Sequence, residues 1–272
     1  MELSQPLAAN CSLLFTELPL LERPVAARAA GFEAVEFWWP FSQAVPCDAD
    51  VDGFIRAIKD AGVALIGLNF FAGDMPSGDR GILSLPDRRH EFVDNVDVVV
   101  GIADALGTKA FNALYGNRLG DMNSAGQDEV ALQNLAVAAA KVAPLQGNVL
   151  LEPVSGAPDY PLLRAADAVK VIERVERDFG VSNARLLLDL YHLTVNGDDP
   201  AVVIDREIGR IGHVQYADAP GRHEPGTGGQ VDIQSYSRHL AAAGYSGWMA
   251  LEYIPSTTTA ESLNWLEQPS GT

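Results

Sequence analysis

The stretch Ala184–His192, ARLLLDLYH, settles the architecture. Its centre, LLLDL, is apolar at consecutive positions, as a strand covered on both faces would be, so it belongs to a buried parallel sheet. VALIGL (from Val63) and VLLEP (from Val149) read the same way. On either side of it, eight short runs in all read as strands: Leu7–Leu14, Ala34–Trp39, Val63–Phe70, Lys109–Tyr115, Asn148–Val154, Ala184–Tyr191, Ile211–Ala217 and Trp248–Ile254. Stretches of helical spacing separate them: Pro19–Ala30, Val51–Ala61, Pro86–Leu106, Asp128–Ala143, Leu162–Phe179, Pro200–Ile208, Asp232–Ala243 and Thr259–Leu266. Five end on Gly just before the next strand, at Gly31, Gly62, Gly107, Gly180 and Gly244, the residue a left-handed helix cap favours. Eight strand–helix units in 272 residues match an α/β (β/α)8 TIM barrel; an open doubly wound sheet is the alternative. No linker divides the chain, so residues 1–272 read as a single domain.

The area scaling for 29.1 kDa gives roughly 11,000 Å² of folded surface against about 42,000 Å² unfolded, enough burial for one large core. Nineteen Lys and Arg against 36 Asp and Glu leave a net charge of −17, which repels nucleic acid and anionic membranes. Neither is expected as a partner. Cys11 and Cys47 make no disulfide framework or CxxC pair, and Cys11, inside an apolar strand, reads as buried rather than nucleophilic. The opening MELSQPLAAN has no signal-peptide pattern and no apolar run approaches bilayer length, so a cytoplasmic location is expected.

In such a barrel the chemistry lies at the C-terminal ends of the strands. Glu152, Asp189, Gln215 and Glu252 end the fifth to eighth runs, each about one strand–helix unit from the next, and should line one arc of the barrel mouth. Buried carboxylates without compensation cost several kcal/mol and repel one another. A divalent cation removes that cost. Three carboxylates and an amide oxygen form an oxygen shell that suits Mg²⁺ or Mn²⁺ better than Zn²⁺. The bland alternative pairs each acid with a local Arg or a helix cap.

The stretches CSLLFTELPLLER (Cys11–Arg23), GFEAVEFWWP (Gly31–Pro40), LLEP, LDLYH and HVQYADAPGRHEPGTG (His213–Gly228) resemble the hydroxypyruvate isomerase family, within the xylose-isomerase-like barrels. The likeness runs from about Asn10 to Leu266, and RHEPGTG is its most specific motif. It implies interconversion of hydroxypyruvate and tartronate semialdehyde, with 2-oxo-tetronate as the substrate of close relatives. It implies metal ligation by Glu152, Asp189, Gln215 and Glu252, with Glu152 and Glu252 as the proton donor and acceptor. The chain departs from the family pattern at Ser155, where Asn is frequent, and at Gly229, where Glu is frequent.

A small hydroxy-oxo acid needs a cation for its carboxylate, and Arg222 and His223 are the candidates, Arg through a two-pronged contact. His192 is a candidate for a substrate hydrogen bond. His213, two residues before Gln215, and Glu36 read as hydrogen-bonding groups inside the barrel. Trp38, Trp39, Phe70 and Phe71 form either an apolar wall or simple packing. The glycines of GTGGQ suggest a mobile loop and make no dinucleotide fingerprint. A sugar 3-epimerase, which usually has His where Gln215 stands, a DNA-repair barrel, which needs more histidines, and a non-catalytic acid sensor are the alternatives. A homo-oligomer is compatible with this reading.

Overall fold

Eight parallel strands close in sequence order into a barrel: β1 (Leu7–Asn10), β2 (Ala34–Phe37), β3 (Ala64–Asn69), β4 (Ala110–Asn112), β5 (Asn148–Leu151), β6 (Ala184–Asp189), β7 (Ile211–Tyr216) and β8 (Met249–Leu251). They are taken from a computed structural model that describes residues 3–120 and 123–266. The accessible surface, 11663 Å², is close to the scaling expectation. The α/β TIM barrel is therefore the fold, as the strand–helix alternation predicts.

The helices α1 (Arg23–Ala29), α2 (Asp48–Ala61), α3 (Arg89–Leu106), α4 (Ser124–Val142), α5 (Ala165–Phe179), α6 (Leu190–Val195), α7 (Pro200–Glu207), α8 (Ile233–Ala242) and α9 (Thr259–Ser262) lie between and after the strands. Their apolar stripes pack on the outer wall of the barrel, with Phe54, Ile58, Phe92, Leu135 and Ile172 fully buried. Gly62 and Gly180 end α2 and α5 at φ 67° and 69°, which a β-carbon would strain.

The strands are shorter than the sequence predicts. The fourth leaves its ladder after Asn112, and Tyr115 forms an isolated antiparallel bridge with Gly81 instead. The sixth stops at Asp189, because the Asp189 side chain accepts the backbone N–H of His192 at 3.0 Å and caps α6. That short helix is absent from the sequence reading, which runs the strand on to Tyr191.

Alternation along the strands sorts residues into an inward and an outward face. Ala8, Ala34 and Ala250 form a small buried cluster on the inward face. Two residues further along the same strands stand Asn10, Glu36 and Glu252, whose side chains hydrogen-bond one another across the interior. A floor of small apolar side chains thus lies under a polar layer. Register sets that layer: Asn10 pairs with Glu36, and Asp189 with Gln215.

Candidate active site

Glu152 and Glu252 each follow the last residue of their strands, Asp189 ends β6 and Gln215 is the penultimate residue of β7. All four are buried. One ligand atom from each of Glu152, Asp189, His192 and Glu252 lies within 4.8 Å of the others. Gln215 joins them through Nε2, which donates to Glu252 Oε1 at 3.1 Å and to Glu36 Oε1 at 2.7 Å.

The two glutamates differ in their surroundings. Glu252 Oε1 accepts from Trp38 Nε1 (2.6 Å) and Asn10 Nδ2 (3.0 Å) as well as Gln215, while Oε2 is paired with the Arg222 guanidinium. Glu152 has one side-chain donor among the described residues, Asn112 Nδ2 at 2.6 Å on Oε2, with His192 Nε2 3.7 Å from Oε1. Burial, with the negative charge of Asp189 and despite Arg222, pushes the Glu252 carboxyl up to about 8. Burial and then the Glu252 and Asp189 carboxylates raise Glu152 well above the ordinary range. Beneath them Glu36 Oε2 lies 2.6 Å from His213 Nε2, so both are hydrogen-bonding groups inside the barrel.

The donor set fits a divalent cation. Asp189 Oδ2 and Gln215 Oε1 are buried and lack a hydrogen-bond partner among the described residues, a costly state for two oxygens on neighbouring strands. With its three carboxylates ionised against one guanidinium, the cluster would carry an excess of two negative charges, which one dication would offset. His192 is less suited as a ligand. Its Nδ1 accepts the backbone N–H of Ser155 at 3.0 Å, so the neutral ring carries its proton on Nε2, the nitrogen that faces the acids. Burial drives the His192 imidazole down to about 4, which keeps it neutral.

A cleft of about 990 Å³ opens above the cluster, with Trp38, Phe71, Glu152, His192, Arg222 and Glu252 in its walls. Trp38, Trp39 and Phe71 do line it, whereas Phe70 points away and packs against Phe92 and Phe111, at 5.4 and 6.1 Å between ring centroids. Arg222 lies over the rings of Tyr191 (5.3 Å) and Trp38 (5.8 Å), with its backbone in the left-handed region at φ 57°. Such a conformation costs a β-carbon-bearing residue about 1 kcal/mol or more and is concentrated at functional sites.

His223 is placed differently. Its Nδ1 turns to the carbonyl oxygen of Ile254 at 2.8 Å, and it does not line the cleft. The RHEPGTG segment is tied down by Glu224, which accepts from Ser256 N at 3.0 Å and pairs with its Oγ. At Gly229 a β-carbon would collide with the Asp218 carboxylate, so the glycine follows from close packing. Cys11 is buried and burial pushes its thiol up, away from nucleophilic use. The sequence reading missed Asn10, Asn112 and the Trp38 indole N–H as partners of the glutamates. Their signal was positional: each stands at or beside the end of a strand.

A family model described as xylose isomerase-like TIM barrel matches residues 24–268. The Escherichia coli hydroxypyruvate isomerase is 31% identical over 262 residues, covering 96% of this chain and 97% of its own. The chain belongs to the hydroxypyruvate isomerase family. A Streptomyces coelicolor member provisionally named hydroxypyruvate isomerase is 49% identical, with 96% of this chain and 95% of that one covered. A 2-oxo-tetronate isomerase from Cupriavidus necator is 33% identical over 96% of both. Among solved structures, a Brucella melitensis protein described as AP endonuclease, family 2, superposes with a TM-score of 0.86 at 34% identity, covering 96% of this chain and 97% of that one. This chain is thus an isomerase of that family with a buried carboxylate and histidine cluster. No helix among the described residues is long and apolar enough to cross a membrane.

Proposed function

We propose that this protein interconverts hydroxypyruvate and tartronate semialdehyde (2-hydroxy-3-oxopropanoate), moving a proton between adjacent carbons through an ene-diol. Glu152, Asp189, Gln215 and Glu252 would hold Mg²⁺ or Mn²⁺. The observation that carries this reading is the convergence of three buried carboxylates within 4.8 Å at the base of an open cleft, with two orphaned oxygens among the four oxygen-bearing residues. When bound, the cation supplies a Lewis acid that stabilises negative charge developing on the substrate oxygens.

The protein's own groups do the rest. Glu152 and Glu252 exchange the carbon proton, one as base and the other as donor. Glu152, with its single side-chain donor, is the stronger base, while the indole, the two amides and Arg222 favour the anion of Glu252. His192 Nε2–H donates to a substrate oxygen. Arg222 steadies Glu252 and keeps Nη1, which has no protein partner among the described residues, for a second substrate oxygen. Trp38 and Phe71 exclude water from the ene-diol.

Glu152→Gln and Glu252→Gln should each lower kcat by about 10³-fold or more, and Glu152→Gln should also stop deuterium uptake from solvent into hydroxypyruvate. Near-normal turnover in both would overturn the assignment. A second reading, 2-oxo-tetronate isomerisation, is supported by the Cupriavidus relative, and a side-by-side assay of both substrates decides between them. A net charge of −17 argues against a DNA substrate.

A further inference from the structure

Three arginines line the cleft, and two are already engaged by carboxylates. Arg222 is paired with Glu252. Arg88 is held by Glu91 (2.6 Å) and Asp79 (2.8 Å), and lies over the Phe71 ring. Arg80, on the loop after β3, has no carboxylate within ion-pair distance among the described residues. Its Nη1 donates to the carbonyl oxygens of Met75 (3.0 Å) and Asp79 (2.7 Å), while Nε and Nη2 have no protein acceptor among the described residues. Those two N–H groups lie parallel along one edge of a planar guanidinium, the arrangement that grips both oxygens of a carboxylate.

The loop holds that edge in place before any ligand arrives. The Arg80 carbonyl accepts Gly116 N at 3.0 Å, and Gly81 bridges to Tyr115. At Gly81, φ 104°, a β-carbon would strike the Leu114 carbonyl, and at Gly73 it would strike the Asp79 carboxylate. At Gly81 only glycine permits this approach to the Leu114 segment, and the two hydrogen bonds from Nη1 tie the Arg80 side chain to the loop so placed. Pre-organisation of this kind lowers the cost of binding.

We propose that Arg80 anchors the carboxylate of the substrate, so that the cleft selects small hydroxy-oxo acids over neutral sugars. The proposal deepens the isomerase reading and rests on it for the choice of ligand. It can nevertheless be tested by binding alone, without turnover.

D-glycerate, a stable three-carbon hydroxy acid, is titrated calorimetrically into the Mn²⁺-loaded protein and its Arg80→Gln and Arg80→Lys variants, with glycerol as the neutral control. A loss of glycerate affinity of tenfold or more in Arg80→Gln, partly restored in Arg80→Lys, supports the anchor, provided circular dichroism melts match the unaltered protein. Equal glycerate affinity in all three overturns it, as does absence of glycerate binding to the unaltered protein. In kinetics, KM for hydroxypyruvate should rise at least tenfold in Arg80→Gln with kcat within about threefold. Should the unaltered protein bind glycerate through Arg80 yet fail to isomerise hydroxypyruvate, the anchor stands and the proposed substrate falls. Turnover of hydroxypyruvate with binding that does not depend on Arg80 keeps the substrate and removes the anchor.

Discussion

Ser155 presents both its backbone N–H and its hydroxyl to Nδ1 of His192, at 3.0 and 2.7 Å. A backbone amide cannot act as an acceptor, so Nδ1 must be the bare nitrogen and Nε2 the protonated one. The ring therefore faces Glu152 and Asp189 as a donor, at 3.7 and 3.9 Å, rather than as a metal ligand. His192→Asn should lower kcat by roughly 10²-fold yet leave the Mn²⁺ dissociation constant within about threefold. Metal analysis by atomic emission and calorimetric titration would check this. A large drop in metal affinity would make His192 a ligand and displace Gln215 from the proposed set.

The raised carboxyls of Glu152 and Glu252 give the metal-free protein a distinctive pH dependence. Above pH 5 the unfolded chain has released most of these protons, while the folded, metal-free protein keeps them until the pH approaches the raised range, about 8 for Glu252. The native state then binds more protons, so its stability falls as pH rises through that window. A bound divalent cation favours the ionised carboxylates and should cancel the trend. In chelator, Tm should fall by several degrees from pH 5 to pH 8, at roughly 2–4 °C per kcal/mol for a chain of this size. Added Mn²⁺ or Mg²⁺ should raise Tm more at pH 8 than at pH 5. A metal-induced rise that is the same at both pH values would contradict the coupling.

Much of this was legible in the residues themselves. Consecutive apolar positions in LLLDL and VLLEP marked buried parallel strands, and the period of the strand–helix units counted the barrel. Polar residues at strand ends then pointed to Glu152, Asp189, Gln215 and Glu252, because such a barrel exposes its strand ends to substrate. What stayed hidden depends on contacts between distant parts of the chain. Arg222 is 30 residues from Glu252, Asn10 is 242 from it, and Trp38 is 214 away. No local pattern reports such pairs. His223 shows the converse: it sits beside Arg222 in sequence, but loop geometry sends its ring to Ile254. The helix α6 was missed because its capping signal, Asp189, also reads as the end of a strand.

Trp38 offers the sharpest separation of a packing role from an electrostatic one. Its indole Nε1 donates to Glu252 Oε1 at 2.6 Å while its ring lies 5.8 Å beneath the Arg222 guanidinium carbon. Trp38→Phe keeps an aromatic face for Arg222, which also retains Tyr191 at 5.3 Å, but deletes one donor from the glutamate. A hydrogen bond to a charged acceptor contributes about 1.5–3 kcal/mol, so kcat should fall by roughly ten- to hundredfold. With less support for its anion, Glu252 should also hold its proton more tightly, moving the pH–rate profile of kcat upward. Trp248→Phe, beside the alanine cluster at the far end of the barrel, removes an indole away from the acids and should leave kcat within about twofold. Equal losses of activity in the two variants, or a pH profile unmoved in Trp38→Phe, would assign Trp38 to packing alone.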